Sequence, residues 1–82
     1  MKTVVIFRKW KDGNIIAIFP ENKIFPYCGM YEHVGQHGDG NYYHVISQTT
    51  LASPQEYRQL KKELESEPYN CDFIVQKRWS RK

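Results

Sequence analysis

The densest β-forming pattern lies near the start of the chain, where "TVVIFRKW" and "NIIAIFP" set β-branched and aromatic residues on either side of Asp12-Gly13. The Asp-Gly dipeptide suits the positive φ values of a tight turn, so the pattern predicts a β-hairpin. With Asp12 and Gly13 as the two loop residues, Trp10 faces Ile15, Arg8 faces Ala17 and Phe7 faces Ile18. One face of the hairpin is then Val5, Phe7, Lys9, Ile16 and Ile18, the more uniformly apolar. The other, Ile6, Arg8, Trp10, Ile15, Ala17 and Phe19, is aromatic and partly cationic. A shift of one residue in register would exchange these assignments.

Pro20 and Pro26 bracket "PENKIFP", where missing backbone donors and fixed φ values disfavour a central strand and predict a loop. "NYYHVISQTT", residues 41–50, is rich in aromatic and β-branched residues and reads as a third strand, with Tyr43, Val45 and Ser47 on one side and Tyr42, His44 and Ile46 on the other. "ASPQEYRQLKKELESEP" predicts a helix. Ser53 is its N-cap, Pro54 suits the first helical position, and Glu56 completes a capping box. Tyr57, Leu60 and Leu64 form a narrow apolar stripe that must pack on a sheet, and Pro68 ends the helix. "CDFIVQKRW" reads as a fourth strand, followed by a short basic tail. The predicted fold is α+β: a small four-stranded, mostly antiparallel sheet with one helix packed on one face and the other face open.

Length fits one domain over residues 1–82, because two halves would each be too small to bury a core. Hydrophobic residues at 40% argue against disorder, and aromatics at 15% supply both a core and an amphipathic surface. The chain opens without the apolar run of a secretion leader and contains no membrane-spanning stretch, so Cys28 and Cys71 read as reduced thiols in a cytosol. Net charge is +3, too modest to mark a dedicated nucleic-acid binder, but it is unevenly spread. Arg8, Lys9 and Lys11 cluster near the start and Lys77, Arg78, Arg81 and Lys82 at the end, with Glu63, Glu65 and Glu67 between.

Candidate chemistry concentrates in "YEHVGQHGDGNYYHV", residues 31–45. His33 and His37 are four apart, a zinc-ligand spacing only if the segment is helical, and Gly35, Gly38 and Gly40 disfavour a helix; further ligands would have to come from Cys28, His44, Glu32 or Asp39. Cys28 with His33 or His37, oriented by Asp39 or Glu32, has the residue types of a thiol nucleophile but nothing that sets the geometry. "GQHGDGN" lacks the lysine and following helix of a phosphate loop, although its backbone amides could form an anion nest. A strand face carrying Arg8 and Trp10 with Tyr42, Arg78 and Trp79 has the cationic and stacking composition that binds single strands or nucleotides. There are plainer readings: turn-stabilising histidines, a solvated basic rim and, for Cys71 beside Asp72 at a strand start, a buried inert thiol.

"IFRKWKDGNIIAIFPE", the cysteine at 28, "YEHVGQH" and the helix opening "SPQEYRQL" together resemble small uncharacterised proteins encoded by bacteriophages and mobile elements. The resemblance covers nearly the whole chain and carries no assigned reaction. It implies a product made in a bacterial host cytosol that acts by binding and blocking a host factor. The expectation is therefore a non-enzymatic protein that antagonises a host defence component, by masking a defence protein or by sequestering a nucleotide second messenger, with no metal or other cofactor and no membrane. Tyr31, His33, Gln36 and His37, with Arg8 and Trp10, are the expected contact residues. The alternatives are a small nucleic-acid-binding domain using the basic and aromatic sheet face, and a small metal- or thiol-dependent enzyme. Exposed sheet edges leave a homodimer open.

Overall fold

A computed structural model describes residues 3–21, 26–32, 36–66 and 72–77, with backbone alone at residues 36 and 37. The described residues form strands β1 (Thr3–Trp10), β2 (Ile15–Phe19), β3 (Tyr27–Glu32) and β4 (Gln36–Asn41), helix α1 (Tyr42–Gln48), strand β5 (Thr49–Leu51), helix α2 (Pro54–Glu65) and strand β6 (Phe73–Val75). The α+β class and the mostly antiparallel sheet hold. The expected four strands are six, in the order β4-β3-β2-β1-β5, and β6 pairs with the first half of β1, the one parallel pairing among these residues.

The hairpin forms in a different register. Phe7 pairs with Ala17 and Lys9 with Ile15, because the loop is three residues, Lys11, Asp12 and Gly13, rather than two. Gly13 N–H donates to Trp10 C=O at 2.9 Å and Gly13 adopts φ 95°, a turn followed by a left-handed residue that suits glycine. Asp12 Oδ1 accepts from the Asn14 N–H at 3.0 Å and fixes the turn. The slip moves each β2 side chain to the opposite face. Val5, Phe7, Ala17 and Phe19 now share one side, while Ile6, Ile16 and Ile18 share the other with Arg8 and Trp10.

Both faces are covered, which corrects the open face expected from sequence. On one side α2 seats Leu60 and Leu64 on Val5, Phe7, Ala17 and Tyr31; the Phe7 ring stacks on Tyr57 at 4.3 Å and meets Phe73 edge-on at 6.3 Å. On the other, α1 seats Tyr42 and Val45 on Ile6, Ile16, Ile18, Cys28 and Met30. The central strand β1 therefore needs apolar residues at successive positions, and Val5, Ile6 and Phe7 are at most 1% exposed.

Residues 41–50 are not the third strand. Asn41 closes β4, its side chain accepts from the His44 N–H at 3.2 Å, and the chain turns into α1. Tyr42, Val45 and Ile46 then fall at helical spacing on the face that meets the sheet. Burial of that stripe outweighs the β propensity of its aromatic and branched residues. The third strand is instead β3, which follows the stretch expected to be a loop and for which the pattern predicts no strand. Helix α2 forms as expected, with Ser53 and Glu56 exchanging both bonds of a capping box and Pro54 in the first turn. Of the expected final strand, residues 73–75 pair with β1; Pro68, Cys71 and the tail lie outside the described residues. So does the middle of "PENKIFP", residues 22–25.

Candidate functional site

The described residues between 31 and 45 belong to two paired strands and a helix. Tyr31 and Glu32 end β3, residues 36–41 return as β4, and Tyr42 begins α1. Opposite Met30 and Cys28 the returning strand places Gly38 and Gly40. A Cβ on Gly40 would stand 3.0 Å from Met30 Sδ and 3.1 Å from its Cε, so glycine here lets the methionine reach Val45 of α1. A Cβ on Gly38 would meet nothing within 4 Å. The seven-residue α1 covers the sheet up to Gly40 and leaves the surface beyond it open.

That open part is a groove of about 380 Å³ on the α1 side of the sheet. Ile16, Met30, Gly38 and Gly40 make its floor, Trp10 and Glu32 one wall, and Asn41, His44 and the backbone at Asp39 its rim. Trp10 and Glu32 come from strands separated by β2: Glu32 pairs with Ile16, and Trp10 lies two residues beyond Arg8, the β1 partner of Ile16. The Trp10 Nε1–H donates to Glu32 Oε1 at 2.9 Å, which holds the indole upright against the carboxylate. A second groove of about 380 Å³ lies on the other flank of the same pair, bordered by Lys11, Asp12, Asn14 and Gln48. The indole thus divides two openings. Asn41 is already engaged as the cap of α1, whereas His44 is exposed on the first turn.

Arg8 and Trp10, both on the strand face expected to be open, are placed differently from one another. Arg8 lies beneath the end of α1, where Nε donates to Thr49 Oγ1 at 3.0 Å and Nη2 to the carbonyls of Thr49 at 2.8 Å and Ile46 at 3.2 Å. Thr49 Oγ1 in turn donates to the Val45 carbonyl at 2.7 Å. The guanidinium therefore satisfies carbonyls that a helix end leaves over. Burial lowers the Arg8 pKa from its ordinary value, with Tyr42 acting in the opposite sense. The continuous cationic face needed by the nucleic-acid alternative is interrupted here by α1.

Tyr31 is 1% exposed and its hydroxyl donates to Glu63, so it belongs to the core beneath α2 rather than to a contact loop. Even residue parity along β3 faces α1 and odd parity faces α2, which is why Tyr31 turns inward while Glu32 reaches the groove. Gln36 and His37 stand on β4 opposite Glu32 and Tyr31. His33 lies outside the described residues. Cys28 is fully buried on the α1 side; its thiol lies 3.7 Å from the Pro26 carbonyl, and burial pushes its pKa up, away from the thiolate that a nucleophile needs. Among the described residues no three His, Cys, Asp or Glu side chains gather as a metal would require, and no helix is long and apolar enough to cross a membrane.

No protein-family model, curated protein or solved structure matches this chain. Its chemistry is read from its own residues.

The sequence pattern offers Glu32 and His44 as metal ligands or, for Glu32, as the partner of a base, and Gly38 as a helix-disfavouring glycine of a possible anion nest. The signal that places Glu32 and Gly38 on one face is spacing: Trp10 and Ile16 on one hairpin, then Met30 and Glu32 on β3 and Gly38 and Gly40 on β4 at two-residue intervals. Reading it requires the hairpin register, which the turn decides. A further groove of about 480 Å³ opens at the opposite sheet edge among Phe7, Leu51, Tyr57 and Val75. It is mainly apolar and carries less directional chemistry.

Proposed function

We propose that the chain is a non-enzymatic binding protein that acts in a bacterial host by occupying a defence component, and that its contact surface is the groove between Trp10, Glu32 and the start of α1. The observation that carries this reading is the groove itself: an indole and a carboxylate hydrogen-bonded to one another over a floor of Ile16, Met30 and two glycines. Such a site presents apolar area with a few oriented polar groups, the composition of a recognition surface. Of the described residues considered for nucleophilic or cationic chemistry, Cys28 is committed to the core and Arg8 to the end of α1. The mobile-element setting comes from the sequence resemblance alone.

Gly38→Leu tests the assignment. Its side chain enters open space on the groove floor, so it should fill the site while leaving the fold intact. The wild-type chain, expressed in bacterial strains that restrict a phage, is expected to raise plating of that phage in at least one defended strain, and Gly38→Leu to lose the effect at unchanged Tm. No rise in any defended strain would remove the anti-defence reading. A rise retained by Gly38→Leu would move the contact surface elsewhere.

A further inference from the structure

We infer that the groove receives an arginine side chain from a partner protein, with the guanidinium lying against the Trp10 indole and donating to the Glu32 carboxylate. This deepens the binding role proposed above and rests on it, and it favours the masking of a protein over the capture of a nucleotide.

Three features of the site agree on a flat cation. First, charge: the Glu32 carboxylate lines the groove, Asp39 stands opposite Gly29 with its side chain on the α2 side of the sheet, and among the described residues no lysine or arginine lines it. The guanidinium of Arg8, on the same sheet face, is bound to Thr49 and Ile46, and Lys11 borders only the opening on the far flank of Trp10. A nucleotide would bring phosphates toward the Glu32 carboxylate, which is unfavourable, whereas a cation is drawn in. Second, shape: an indole held upright by its own Nε1–H bond offers a planar wall that need not reorganise when a planar cation stacks on it. Third, hydrogen bonding: Trp10 takes one lone pair of Glu32 Oε1, and among the described residues nothing donates to Oε2. A guanidinium has paired N–H groups that match a carboxylate edge, which an ammonium lacks. The apolar floor of Ile16 and Met30 accommodates the methylene stem.

The probe is N-acetyl-arginine amide, with N-acetyl-lysine amide and guanosine monophosphate as competitors in kind. The reporter is the Trp10 indole N–H in nuclear magnetic resonance spectra of the full chain, assigned with Trp79→Phe. The arginine probe should shift that signal saturably with a Kd of about 1–20 mM, in keeping with a single side chain removed from its partner. The lysine probe should bind about threefold or more weakly, because it cannot stack or fork. Guanosine monophosphate should leave the signal in place. Glu32→Gln keeps an oxygen to accept from Trp10 but loses the charge, and should weaken the arginine probe by about fivefold or more without moving Tm. Gly38→Leu should abolish the shift.

An unshifted Trp10 signal, equal binding by Glu32→Gln, or tighter binding of guanosine monophosphate than of the arginine probe would each overturn the inference. The two failures are separable. If the arginine probe fails and Gly38→Leu still removes the effect on phage plating, the groove remains the contact surface and only its ligand class falls. If Gly38→Leu leaves plating unaffected, the site assignment falls as well.

Discussion

Arg8 and Cys28 show how far a residue's setting decides what it can do. A guanidinium near a tryptophan reads as a ligand contact in sequence, yet here it holds the last turn of α1 to the strand below. Arg8→Met keeps much of the stem and removes the donors, so the carbonyls of Ile46 and Thr49 lose them in a part-buried position. A cost of about 1–3 kcal/mol is expected, measured by denaturant unfolding. Cys28 is expected to behave as a small apolar residue. In a Cys71→Ser background its thiol should resist an aromatic disulfide reagent in the folded protein and react fully once denaturant unfolds the chain. Rapid labelling of the native state would show an accessible thiol and reopen nucleophilic chemistry.

At the scale of elements, the two helices were not equally legible. The signals of α2 are local and agree: an N-cap, a proline in the first turn, a capping box, and an apolar stripe. Helix α1 is short, made of residues that favour strands, and stabilised mainly by the sheet beneath it. Its one local signal, Asn41 followed by apolar residues at 42, 45 and 46, competes with strong β propensity.

The start of α2 also carries an acid-sensitive contact. Lys9 on β1 pairs with Glu56, and Lys9 together with the Ser53 backbone amide lowers the Glu56 pKa to about 2. That is below the ~4.3 of an unfolded glutamate, so the stabilisation is complete above the unfolded value and is lost as pH falls through the folded one. Unfolding midpoints recorded between about pH 5 and pH 2 should drop for wild type, and Glu56→Gln should flatten part of that drop. Because the pair faces solvent, added salt should shrink the difference.

The described residues make one sheet with a core on each side, and β1 belongs to both. Leu64→Ala under α2 and Val45→Ala under α1 should therefore lower a single shared transition rather than melt one face at a time. The Leu64 change should cost about 2–5 kcal/mol, as for other buried leucines cut to alanine. Far-ultraviolet circular dichroism and tryptophan fluorescence should report coincident midpoints in both variants; separated midpoints would mean that the two sides unfold independently.

The sequence by itself determined the α+β class, the existence of the first hairpin and the whole of α2, because each depends on signals only a few residues apart: turn chemistry, capping and periodicity. It also held an underused sign of the second core, the unbroken apolar run Val4 to Phe7, which only a strand covered on both faces requires. Tertiary structure decided the register, the conversion of residues 42–48 into a helix, and the meeting of Trp10 with Glu32. A three-residue turn in place of a two-residue one moved every β2 side chain to the other face. The groove follows from that choice, since its walls are set by residues 22 positions apart that only strand pairing brings together.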